Sequence, residues 1–448
     1  LTIVTALTEG GQYYRELPDG TIKQMNPFSG VQVWTVPGRG ARPLGQPFVN
    51  PRPISDADRV SACSFCADRV LETPPEKSRL VGDPFGEMRG AFRTLRHLPA
   101  DELSSTTAEF RRIPNLFEIL TWQYWHANHG ADLPEDARRW QESYLSDLAG
   151  LAHVRRVLDA KFAAQGLSLR ASRLDAAGLR RESAPFFGGG HDLIVARRHY
   201  TDDATTTAGL AGSGQLSVSE HRAFIAMTVS ATADLYASNP KARYVAVFQN
   251  WLQAAGASFD HLHKQLVAID EIGASNEWAL EKVVGDPYMF NRWGPDFAID
   301  HHLVLAANDH AVAFVTFGHR YPSVEIWSTS RLDQPWRMDS QEVDAVSDLL
   351  HAVHVAIGAD VPTNEEWHHR PPEVETPMPW HVVLKLRVSN PAGFEGGTKI
   401  YINTVSPASL CARLLPRLFD ARQAGRLAEG IRIGEECDLP RGVIQAAH

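Results

Sequence analysis

The sequence predicts an α+β protein made of two similar halves, and three features point to it. An amphipathic helix followed by a histidine-bearing strand occurs twice, at about 217–269 and again at about 339–384. Stretches of period-two alternation, rich in β-branched and aromatic residues and bounded by Gly, Pro and Asn, read as strands around both. Residues 118–182 differ in character: Leu145, Leu148, Leu151 and Val154 recur at helical spacing among Ala, Arg and Glu.

Composition sets the bounds. At 448 residues the chain exceeds the roughly 250–300 at which single cores stop growing, so two domains are expected. With 44% apolar and 22% charged residues it is of the ordinary globular kind. A formal charge of −9 argues against a nucleic-acid surface, which is normally basic. No apolar run reaches the ~20 residues of a membrane span. The opening Leu1-Thr-Ile-Val lacks the charged start of a secretory signal, so the cytoplasm is the expected compartment. Cysteines fall at 63, 66, 411 and 437, and Cys63-Ser-Phe-Cys66 is the pair with chemistry in its spacing. Two thiolates so placed suit zinc if two further ligands close the tetrahedron; an unmetallated pair is the competing reading.

Residues 1–22 read as a lead-in. From Lys23 the run through Asn26-Pro27 and Gly30 reads as a turn and a strand, and 37–43 as a stiff loop carrying Arg39 and Arg42. Residues 118–182 are expected to form two or three amphipathic helices outside the sheet framework, closed by Gly188-Gly-Gly190. His191-Asp-Leu-Ile-Val-Ala then returns to strand character. Ser217 to Glu220 form a capping box. The helix it opens carries Phe224, Met227, Ala231 and Leu235 on one face and stops near Asn239-Pro240. A second helix opens at Asp339 to Glu342, is lined by Val343, Val346, Leu350, Val353 and Ile357, and ends at Gly358. The parallel implies an internal duplication with its boundary near 275–285.

The most telling run is Ser258-Phe-Asp-His261-Leu-His263-Lys-Gln265-Leu. Tyr244 to Gln249 reads as a strand, Asn250 to Ser258 as a small-residue turn, and about 261–269 as the returning strand. Alternation then places His261, His263 and Gln265 on one face and Leu262, Lys264 and Leu266 on the other. Two imidazoles and an amide beside a Gly/Ser turn suit nucleophilic attack on a phosphate. A metal-ligand pair and a purely structural pair are the alternatives.

Asn250 and Ala255-Gly-Ala-Ser258-Phe-Asp-His261-Leu-His263-Lys-Gln265 resemble the active-site signature of the galactose-1-phosphate uridylyltransferases, the transferase branch of the histidine-triad superfamily. Hydrolases of that superfamily end the motif in a third histidine; transferases end it in glutamine, as here. The resemblance spans about 23–117 and 188–405. It implies two tandem histidine-triad-like domains, antiparallel sheets with packed helices, at 23–280 (with 118–182 as a helical insertion) and 281–448.

Site roles follow from the resemblance. His199, ending Asp192-Leu-Ile-Val-Ala-Arg-Arg-His199, and His261 become the ligands that complete a zinc site with Cys63 and Cys66. His263 is the nucleophile, and Gln265 and Ser258 contact the phosphoryl oxygens. Arg39 and Arg42 lie in a segment resembling the family's amino-terminal signature, whose arginines reach substrate phosphates. Asn115 resembles its nucleoside-contacting asparagine, Asn250 joins the substrate contacts, and Ala392-Gly-Phe-Glu395 resembles a segment whose glutamate bonds hexose hydroxyls. His381 aligns with a second-half histidine pair whose partner position is Pro379, and His368 offers a further ligand for a second metal. Leu262 and Asp260 stand where the family has prolines, which marks a divergent branch.

The expected activity is transfer of UMP between a UDP-sugar and a sugar 1-phosphate through a nucleotidyl-histidine. The resemblance implies a homodimer with substrate sites shared between subunits, acting in galactose metabolism. The rival readings are a nucleotide-sugar or dinucleoside-polyphosphate phosphorylase, a non-catalytic nucleotide-binding protein and a metallohydrolase.

Overall fold

A computed structural model describes residues 11–38, 43–45, 48, 50–83 and 91–444. Its strands, in chain order, are β1 (Tyr14–Glu16), β2 (Ile22–Met25), β3 (Gln32–Thr35), β4 (Ser78–Gly82), β5 (Phe92–Arg96), β6 (Ala108–Pro114), β7 (His191–Ala196) and β8 (Tyr244–Trp251). They continue as β9 (His263–Ile269), β10 (Val304–Ala307), β11 (Ala311–Thr316), β12 (Ser323–Ser328), β13 (Thr363–His368), β14 (His381–Leu386), β15 (Ile400–Asn403) and β16 (Arg432–Ile433).

Twelve strands form one sheet in the order β16-β10-β11-β12-β14-β13-β8-β9-β7-β6-β4-β5. The fold is therefore α+β with antiparallel sheet pairing, as the sequence predicts. The duplication is legible in the strand order. Outward from the β13–β8 seam, one direction runs β8, β9, β7, β6, β4 and the other β13, β14, β12, β11, β10. Each half places a long helix just before its seam strand, Val218–Ser238 before β8 and Ser340–Ile357 before β13. Both helices start on the expected capping boxes, which satisfy backbone donors that a helix start otherwise leaves bare. At the seam Asn250 faces Asn364 and Phe248 faces Glu366, so the two halves share a single sheet. A second sheet, β1-β2-β3-β15, pairs β15 in parallel with β3. Gly318 N–H donates to Gln24 Oε1 at 2.9 Å, so residues 14–35 sit against the second half.

Two corrections concern the first half. Strand β9 begins at His263, two residues later than expected, because His261 is turned toward a cluster of sulfur and nitrogen atoms. The helical stretch holds four helices, Trp122–His129, Glu135–Ser146, Leu148–Ala164 and Ala176–Gly188, and runs past residue 182. They bury a core of their own around Trp140, Tyr144, Val157, Leu158 and Phe187.

One face of the large sheet packs on the two long helices, which bury Phe224, Leu235, Val346, Leu350 and Val353. Alternation sends Lys264 to this face, opposite His263 and Gln265, and there it is fully buried with Glu365. Its ammonium bonds the Glu365 carboxylate and Gln249 Oε1, and Glu365 also takes a hydrogen bond from His354 at 3.0 Å. Burial works most strongly against the Glu365 carboxylate, but the charges and hydrogen bonds of Lys264 and His354 together outweigh it and hold its pKa down to about 2. Breaking such a pair leaves an uncompensated buried charge. Lys264→Met or Glu365→Leu alone should destabilise the fold by about 3–5 kcal/mol, with much of the loss recovered in the double variant. Urea denaturation of the three variants measures this; equal losses in single and double variants would contradict it.

Candidate active site

Four elements converge on the cluster at His261. Cys63 follows the short helix Asp56–Ser61, Cys66 caps the next helical turn, His199 lies just past β7, and His261 precedes β9. Cys66 and His261 are each 1% exposed. The Cys63 and Cys66 sulfurs are 3.9 Å apart; Cys63 Sγ lies 3.5 Å from His199 Nδ1 and 3.4 Å from His261 Nδ1. Cys66 Sγ lies 3.7 and 3.8 Å from the same two nitrogens. Two sulfurs at about 2.3 Å and two nitrogens at about 2.0 Å from one tetrahedral ion would sit roughly 3.4–3.8 Å apart. The donor set and its spacing fit such an ion. His261 Nε2–H donates to Ala196 O at 2.7 Å, which turns its bare Nδ1 toward the thiols, the usual outer-shell arrangement for a metal-bound histidine. Among the described residues this is the one group of three or more such donors close enough to share an ion.

His263 lies two residues on, and its ring is not among that cluster's donors. Its Nδ1–H donates to His261 O at 2.7 Å, leaving Nε2 as the ring's lone-pair nitrogen. Burial pushes its pKa down to about 4, so the ring is neutral above that pH. Gln265 lies two residues on and on the same face. The neighbouring strand β7 supplies a residue that the sequence reading passed over. His191 Nδ1 accepts from Ile119 N–H at 3.3 Å, so its proton sits on Nε2 and donates to Gln265 Oε1 at 3.1 Å. The amide of Gln265 is thereby oriented, and its NH2 is left over for a ligand. Strand parity could have revealed His191: it shares a face with Leu193 and Val195, which pair with Gln265 and His263.

Beside His263 opens a cavity of about 390 Å³ lined by Phe65, Ile113, Asn115, Phe117, Leu193 and Phe259, among others. The Phe65 ring stands 5.2 Å from the His263 ring and 4.7 Å from that of Phe259. Asn115 accepts from Phe117 N–H, and its amide nitrogen lies 3.0 Å from His191 Nε2. The slot is mostly apolar and aromatic, with Ser64, Glu72, Thr73, Asn115 and Arg156 also in its lining.

The other expected residues scatter. Ser258 is exposed in the turn after Gly256, whose φ of +89° suits glycine. Asn250 accepts from Asn364 Nδ2 at 2.7 Å across the seam. Glu395 accepts from Ala392 N–H at 2.9 Å, capping its own short helix beside the small sheet. Arg39 and Arg42 lie outside the described residues. The expected second metal site is not assembled among the described residues. His368 and His381 stack at 4.9 Å, with their Nδ1 atoms bonded to Asn276 Oδ1 and Pro379 O. Pro379, standing where the pair's partner would, offers no donor side chain.

The doubled sheet presents the His261-Leu-His263-Lys-Gln265 run at the entry to β9. The chain belongs to the family described as Domain of unknown function (DUF4921), which it matches over residues 17–445. A stretch of 183 residues is 30% identical to ADP-glucose phosphorylase from Arabidopsis thaliana, covering 38% of this chain and 51% of that protein. The match thus spans about half the length of that relative. The crystal structure of an Arabidopsis thaliana ADP-glucose phosphorylase with bound ADP-glucose has the same fold, with a TM-score of 0.55 at 17% identity over 88% of this chain and 98% of that one. A GalT-like protein from the same plant gives 0.53 at 17% identity over the same shares.

Purified protein should carry about one metal ion per chain at the Cys63, Cys66, His199 and His261 cluster. Cys63→Ser should release it and lower the unfolding midpoint, read by elemental analysis and calorimetry. Metal-free wild-type protein of undiminished stability would overturn that assignment.

Proposed function

We propose that the protein is a nucleotide-sugar phosphorylase. It would move a nucleotidyl group from a nucleotide sugar, through His263, onto inorganic phosphate. The observation that carries this is the bare Nε2 of His263, fixed in one tautomer beside the Phe65 wall of an apolar slot and flanked by an amide whose oxygen His191 holds. The partial match to ADP-glucose phosphorylase favours phosphate as acceptor over the sugar 1-phosphate expected from the sequence.

In the first step His263 Nε2 attacks the α-phosphorus, a P–N bond forms, and the bond to the β-phosphate breaks, releasing sugar 1-phosphate. Gln265 donates to the phosphoryl oxygens as charge builds there, and His191 keeps the amide turned that way. A phosphate oxygen then attacks the same phosphorus, the P–N bond breaks, and a nucleoside diphosphate leaves. Neither leaving group needs a proton, consistent with an amide where hydrolases of the superfamily carry a third histidine. The slot beside Phe65, Phe117 and Phe259 suits a base by stacking, and an adenine nucleotide is the reading we favour. Asn115 lines that slot, and Asn250, Ser258, Arg39 and Arg42 are carried as substrate contacts on the resemblance alone. Zinc at the cysteine–histidine cluster would supply rigidity to His261, and through its carbonyl to His263.

Wild-type protein given ADP-glucose or UDP-glucose alone should release glucose 1-phosphate in a burst equal to the active-site concentration. Turnover should continue only when phosphate is added. Sustained release in water alone would point to a hydrolase, and turnover only with a second sugar 1-phosphate would restore the uridylyltransferase reading. His263→Gly should abolish the burst while metal content stays normal, and an added nucleoside phosphorimidazolide should restore the second half-reaction. His191→Phe should lower kcat by about tenfold or more, the order expected for one lost transition-state donor, with KM for phosphate little changed. An unaltered kcat would remove His191 from the positioning role.

A further inference from the structure

The face of the sheet that carries His263 and Gln265 continues across the seam into the second half. Gln265 pairs with Phe248, Phe248 with Glu366, Glu366 with Val383 and Val383 with Glu325, one row on one face. Over the far part of that row lies a second cavity of about 430 Å³, lined by His368, His381, Lys385, Arg387, Arg320 and Glu325, among others.

The duplication says what this cavity retains. His381 opens β14 as His263 opens β9, and its Nδ1–H donates to Pro379 O at 2.8 Å, two residues back, as His263 does to His261. Pro379 takes the position of the metal-binding His261, and Val383 that of Gln265. The imidazole is kept with its tautomer fixed, while the metal anchor and the phosphoryl-holding amide are gone. Charge has been added further along the strand instead, with Lys385 and Arg387 where β9 has Val267 and Ile269.

The remaining groups describe a ligand. Asn276 Nδ2 donates to Ile272 O at 2.8 Å, so its oxygen accepts from His368 Nδ1–H at 3.0 Å. His368 and His381 therefore each present Nε2 as an acceptor, suited to hydroxyl groups. Three cations line the cavity against two carboxylates. Glu325 is taken up by His319 and Trp327, and Glu366 by Lys385. Arg387 donates to Asn364 Oδ1 at 2.7 Å, but its Nε is buried with no hydrogen-bond partner among the described residues. A buried guanidinium donor left over is one that an anionic oxygen would satisfy.

We propose that this second cavity binds a phosphorylated sugar and holds it without reaction, its hydroxyls on the two histidines and its phosphate on Arg387 and Lys385. The proposal does not depend on nucleotidyl transfer at His263.

Isothermal titration of the full-length protein with glucose 1-phosphate tests it. Wild-type protein should bind one more equivalent than Val383→Phe, which fills the cavity, and Arg387→Gln should weaken that equivalent by about tenfold or more. The difference of one site holds whether or not the His263 site binds the probe, so failure of the phosphorylase reading is read separately, from the burst. If the bound sugar phosphate is substrate in transit, Val383→Phe raises the KM for glucose 1-phosphate in the reverse reaction at unchanged kcat. If it is an effector, the KM holds and the effect of added glucose 6-phosphate on rate disappears. Equal stoichiometry in wild type and both variants overturns the proposal. Amide hydrogen exchange on the unsubstituted protein needs no variant: glucose 1-phosphate should protect 381–387, and absence of protection there overturns it equally.

Discussion

The backbone carbonyl of His261 is the point on which the candidate site turns. The side chain of this residue faces two thiols and a second imidazole, while its carbonyl holds the proton of His263. Whatever fixes the first therefore fixes the second. Ala196 O, at the end of the neighbouring strand, adds a third restraint by accepting from His261 Nε2–H. Cluster, strand and nucleophile are thus one rigid unit, and His263 need not be ordered anew when a ligand arrives, which keeps the entropic cost of alignment low.

What could be read in the sequence was what is local. Both capping boxes, the alternation from His263 to Leu266, and the x2 spacing of Cys63 and Cys66 rest on contacts within a few residues, and each leaves a recognisable pattern. Features that depend on which strand lies next to which left none. His191 gains its place only because β7 pairs with β9, and its ring would otherwise be an ordinary strand histidine. Lys264 was assigned to the correct face, yet nothing nearby says that this face is the dry one or that Glu365, about a hundred residues on, would meet it. The pairing of β3 with β15 escaped for the same reason, since it joins the two ends of the described chain. The helix count fell short because short polar breaks such as Asp147 cap a new helix without altering the apolar spacing around them.

The two halves differ at single positions along matching strands. Their order of strands, their long helices and the carbonyl lock on the first histidine are alike, and these are features of backbone geometry. Their differences are side chains on one face: proline for histidine, valine for glutamine, lysine and arginine for valine and isoleucine. A duplicated sheet permits this because alternation insulates the cavity-lining face from the helix-covered one. Changes at 379, 383, 385 and 387 leave Val382 and Leu384, both fully buried, undisturbed.

The helical block between β6 and β7 is closed by a single carboxylate. Glu118 accepts from Gly190 N–H with one oxygen and from Trp122 N–H with the other, so the departing and returning chain meet at one residue. A loop clasped at its base is nearly indifferent to its own contour: each doubling of length adds only about 0.6 kcal/mol of closure entropy. The block is in this sense a removable appendage with a fixed collar. Ile119, which steadies His191, belongs to the collar, so helices can be lengthened, exchanged or lost beyond it without reaching the chemistry.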